Sequence, residues 1–105
     1  MFGINKKDPF RPRKLDAFLS RKVAEEWQNM PSESDHWVTF MVVEKIREDN
    51  PDEVDVLIYD QWIADHQNFK IVNFDSLEAH PELVLFEGRY NKKAKQVDLR
   101  YRKAA

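Results

Sequence analysis

The densest grouping of residues able to do chemistry is Tyr59-Asp60-Gln61-Trp62, with Asp65 and His66 close behind. A carboxylate beside a phenol and an indole can act as an acid–base group, provided that a cleft holds them together. If the sheet that carries them curls into a cone, Tyr59 and Asp60 line its mouth and Trp62 forms a stacking wall. The competing expectation leaves Asp60 solvated at a strand end and turns Trp62 into the core.

Other chemistry is sparse. The serines are Ser20, Ser32, Ser34 and Ser76, and none stands in a nucleophile-elbow context. His36, His66 and His80 fall in separate loops or strand ends without the helical His-x-x-x-His spacing. A centre built from His66, His80 and a carboxylate is conceivable, but the spacing sets no metal or cofactor expectation. The absence of cysteine excludes disulfides, thiol chemistry and Cys-based zinc sites. Gly3 and Gly88 are the only glycines, which excludes a Walker A loop and a dinucleotide fingerprint. Binding is therefore expected rather than catalysis.

Charge is divided along the chain. Residues 1–22 carry +5, residues 23–88 carry -13 and residues 89–105 carry +6, within a net charge of -2. Such segregation points to an electrostatic partner, either outside the molecule or inside it. The first expectation is protein contact or self-association through an acidic hairpin, with Glu44, Glu48, Asp52, Glu53 and Asp55 as the contact residues; an aromatic sheet face is the other surface considered. The alternative is nucleic-acid binding by the basic ends, through Arg11, Arg13, Lys14, Arg89, Lys92, Lys93, Lys95, Arg100 and Arg102. Tyr90 and Tyr101 would then supply stacking surfaces. A sequence pI of about 5.9 weighs against that alternative. A small-molecule or catalytic pocket at Tyr59, Asp60 and Trp62 stands third.

These residues need elements to position them. Residues 1–12 read as a basic arm or strap, and residues 13–105 as a single domain of ordinary size. A helix is expected over 13–30, with Pro12 at its first position and Leu15, Phe18, Leu19, Val23, Trp27 and Met30 on one apolar stripe. In that frame Arg11, Arg13 and Lys14 crowd the helix N-terminus, against its dipole. Strands are expected over 36–49, 53–63, 69–74, 82–90 and 96–103. Turns fall at 50–52, 65–68 and 91–95, and a loop with room for one helical turn at 75–82. Gly88 marks a bulge or a close backbone approach.

One helix followed by strands with short connections predicts an α+β fold, with the helix packed across a curved antiparallel sheet of four to five strands. A small, partly open barrel is the alternative. The layout resembles the cystatin-like or NTF2-like arrangement of a helix and a wrapped sheet. No apolar stretch is long enough to span a bilayer, and no secretion signal opens the chain. A soluble, cytoplasmic protein without membrane partners is expected.

Overall fold

The computed structural model describes residues 11–27 and 38–102. Residues 1–10 of the expected 1–12 arm, the expected helix end at Met30, the expected strand start at His36 and Lys103 lie outside them. Five antiparallel strands form one open sheet in sequence order. They are β1 (Arg13–Lys14), β2 (Phe40–Ile46), β3 (Glu53–Asp60), β4 (Val84–Asn91) and β5 (Gln96–Tyr101). The α+β class is confirmed.

The helix, α1, spans Ala17–Trp27 and begins later than expected. Arg13 and Lys14 instead form β1, paired with Val42 and Met41 of β2. Asp16 explains the shift. Its carboxylate accepts from the Leu19 amide at 2.8 Å, the geometry of an N-cap side chain bonding an otherwise unsatisfied helix amide. The helix therefore starts on an acid, and the basic residues lie on a strand before it.

Period-two alternation gives the sheet two apolar faces. Val42, Val54, Val56, Ile58, Phe86, Tyr90 and Leu99 pack beneath Leu19 and Val23 of α1. Trp27 meets Phe40 edge-on at 5.5 Å, and Phe18 stacks on Tyr90 at 5.8 Å. The opposite face presents Val43, Leu57, Tyr59 and Val84.

The cover for that second face is the main departure from expectation. Residues 61–74 contain no strand. Two short helices lie between β3 and β4, the unexpected α2 (Gln61–His66) and α3 (Phe74–Glu78), which supplies the helical turn expected within 75–82, followed by a 3₁₀ turn at Pro81–Leu83. Asp60 caps α2 by accepting from the Trp62 amide at 3.0 Å. Asn68, at φ 61°, closes α2 in the left-handed region, with Asn68 N–H donating to Asp65 O at 3.1 Å and Phe69 N–H to Ala64 O at 2.9 Å. That reciprocal pair is a Schellman stop. Asn73 and Ser76 then form a capping box at the start of α3. Local side-chain hydrogen bonds thus override the β-propensity of Phe69-Lys70-Ile71-Val72. Ala64, Ile71, Phe74, Leu77 and Leu83 cover the second face over β2 and β3.

Candidate protein-binding face

The cover leaves the β3–β5 side of the second face open. There the alternation places Asp55 of β3, Glu87 and Arg89 of β4, and Asp98 and Arg100 of β5 in adjoining rows, since Asp55 pairs with Arg89 and Arg89 with Asp98. Phe74 and Glu78 of α3 stand beside these rows, and Arg102 extends them. Together they line a groove of about 400 Å³. Four of its lining residues are carboxylates and three are arginines.

The charges interlock. Arg47 donates from Nη1 to Asp55 at 2.9 Å and from Nη2 to Asp49 at 3.0 Å. Hydrogen bonding to Asp49 and Asp55 raises the Arg47 pKa, and the same contact with Arg47 lowers that of Asp49. Arg89 lies 3.9 Å from Asp55, while Arg102 and Arg100 approach Glu87 at 3.4 and 3.8 Å. Lys45 reaches across to Asp75 of α3 at 3.1 Å, and that hydrogen bond raises its pKa.

Gly88 sits within this floor. A Cβ there would lie 2.8 Å from the Asp98 carbonyl carbon and 3.0 Å from Leu99 Cα. The two strands approach so closely that only glycine fits without backbone movement.

The expected acidic hairpin is altered at its root. Glu44 is 4% exposed, so it does not offer its charge to a partner. Arg13 Nη2 donates to it at 3.1 Å and Lys92 Nζ at 3.2 Å. A residue from each basic end thus closes on one carboxylate of the acidic middle. Asp55 is engaged by Arg47, and Glu53 accepts from Asn50 at 3.1 Å. Glu48 and Asp52 remain exposed at the tip.

The nucleic-acid residues do not share one surface with stacking rings. Arg89, Arg100 and Arg102 adjoin the groove, whereas Tyr90 is buried on the α1 face and Tyr101 lies edge-on to Phe86 on that face at 5.8 Å. Arg13 is turned toward Glu44. Arg11, Lys14, Lys93 and Lys95 are exposed.

At the third site, Tyr59 is fully buried and donates to Gln61 Oε1 at 2.8 Å. Asp60 is 2% exposed and accepts from Thr39 N–H at 3.1 Å as well as from Trp62. Its Oδ1 therefore serves backbone capping, and the interior around Tyr59 is packed with Val43, Leu57, Ala64 and Leu77. Trp62 is 38% exposed and stacks on His66 at 3.5 Å. His80 lies against Phe69 at 4.1 Å. Among the described residues, no three metal-ligating side chains come together, and no helix is long and apolar enough to cross a membrane.

The groove was not legible in the sequence because its arginines stood among the basic ends as a phosphate surface, and of its four acids only Asp55 belonged to the expected hairpin. The alternation of Asp98, Arg100 and Arg102 was the available signal. No protein-family model, curated protein or solved structure matches the chain.

Proposed function

We propose that this domain acts by binding a protein through the open β3–β5 side of its sheet. The observation that carries this reading is the mixed-sign floor of the groove, where Asp55, Glu87 and Asp98 are interleaved with Arg89, Arg100 and Arg102. A phosphate backbone is attracted by arginines but repelled by the carboxylates between them. A protein surface carries both signs and can match such a pattern, which gives register and specificity more than raw affinity. α3 supplies one wall, and its Phe74 supplies an apolar contact at the foot of the groove.

Glu78→Lys with Arg89→Glu reverses two charges at the groove without touching β5. The wild-type domain is expected to retain a defined protein from its native lysate, and the double variant to lose it while keeping its circular dichroism spectrum. Equal retention of the same protein by both would overturn the reading. So would saturable binding of a random single-stranded oligonucleotide that weakens steeply with salt.

A further inference from the structure

β5 is the outer strand of the sheet, with the sequence Gln-Val-Asp-Leu-Arg-Tyr over Gln96–Tyr101. On its inner side Arg102 N–H donates to Leu85 O at 2.7 Å, and the register pairs Arg100 with Glu87 and Asp98 with Arg89. Bonding alternates along an antiparallel ladder, so Asp98, Arg100 and Arg102 direct their peptide groups toward β4. Val97, Leu99 and Tyr101 direct theirs outward. Among the described residues no strand or backbone group pairs with that outer edge. An edge of this kind is a template for another strand.

Resting on the protein-binding reading above, we infer that the edge is filled by β5 of a second copy, antiparallel about a two-fold axis at Leu99. Leu99 then faces the partner's Leu99, and Val97 faces the partner's Tyr101. The three outward peptide units of each strand meet those of the other, in the phase that an antiparallel ladder requires. On the groove face Asp98 comes opposite the partner's Arg100, and the two-fold axis repeats the pair. On the α1 face the contact covers Tyr101, which is 39% exposed in the single chain.

Charge selects this register. Sliding the strands to the adjacent register of the same phase brings Asp98 against the partner's Asp98 in one direction. In the other it brings Arg100 against the partner's Arg100, a like pair that the inferred register lacks, although Asp98 then meets the partner's Arg102. Like charges directly opposite are unfavourable, and opposite charges are favourable. The side chains are also available for the pairing. Among the described residues Asp98 has no ion pair, and Arg100, with a side chain 78% exposed, approaches only Glu87, at 3.8 Å. The joined sheet has ten strands. Because Asp98, Arg100 and Arg102 line the groove, the two grooves become neighbours on one continuous face.

Sedimentation equilibrium of the full chain tests the pairing, with backbone amide exchange as a second readout. A dimer is expected. Asp98→Arg and Arg100→Asp should each weaken it by about tenfold or more, since each places like charges opposite twice. The combined D98R/R100D chain should associate more tightly than either single variant, because the exchange restores opposite pairs across the axis, although it sets like charges against Arg89 and Glu87 within each chain. Exchange of the Val97, Leu99 and Tyr101 amides should slow as wild-type concentration rises. A monomer at every concentration, a dimer indifferent to the single changes, or no recovery in the double variant overturns the inference. If a single variant does not fold, exchange at those three amides decides on the wild-type chain, and protection independent of concentration overturns the inference. A monomer that still retains its protein partner through Glu78 and Arg89 sinks only the self-pairing. A dimer that retains none sinks only the groove reading.

Discussion

Tyr59 and Asp60 show how a residue with chemical promise becomes a structural one. Asp60 combines the end of a central strand with the cap of the next helix, so its Oδ1 is held by two backbone amides. Tyr59 is fully buried beneath the short helices, and desolvation, aided by the nearby Asp65 carboxylate, pushes its pKa up to about 12. An unfolded tyrosine ionises near 10. The unfolded chain therefore releases this proton first as pH rises, and its stabilising contribution is complete below pH about 10. Denaturant titrations should show stability falling between pH about 10 and 12, on the order of 2 kcal/mol from this group. Tyr59→Phe should flatten that slope, leaving a residue from Tyr90, whose pKa burial also raises. An unchanged slope in the variant would place the titrating group elsewhere.

At the scale of elements, β2 to β5 were legible wherever alternation was clean. Val54, Val56 and Ile58 against Leu57 and Tyr59 read directly as a strand with two buried faces. Val97 and Leu99 against Asp98 and Arg100 read as a half-buried strand. The failures occurred where capping chemistry competes with periodicity. Asp16 delays α1, Asp60 and Asn68 turn the expected end of the 53–63 strand into α2, and residues 69–73, expected as strand, run irregularly into the Asn73–Ser76 capping box of α3. Single capping bonds are each worth about 1 kcal/mol, enough to decide a six-residue segment of weak intrinsic preference. Asp60→Ala should cost about 1–2 kcal/mol and raise amide exchange through α2, because two backbone donors lose their acceptor. Stability unchanged within error would show that α2 does not need the cap. The candidate groove was only half legible. Its residue types stood in the sequence, but its openness depends on where the short helices stop covering the sheet.

Across the whole molecule the three charge zones fold onto one another. Arg13 and Lys92 meet on Glu44, and the β4–β5 arginines meet Asp55 and Glu87. Much of the charge that resembled a phosphate-binding layout is thereby matched within the chain. What remains outward on the open sheet face is a pattern of both signs. Photo-crosslinking in the native cell tests this account most directly, with a photoreactive residue placed at Arg89 on the groove and, as a control, at the exposed Ala24 of α1. The account predicts a discrete protein adduct from position 89 and none from position 24. Adducts to nucleic acid from position 89, or the same protein adduct from both positions, would contradict it.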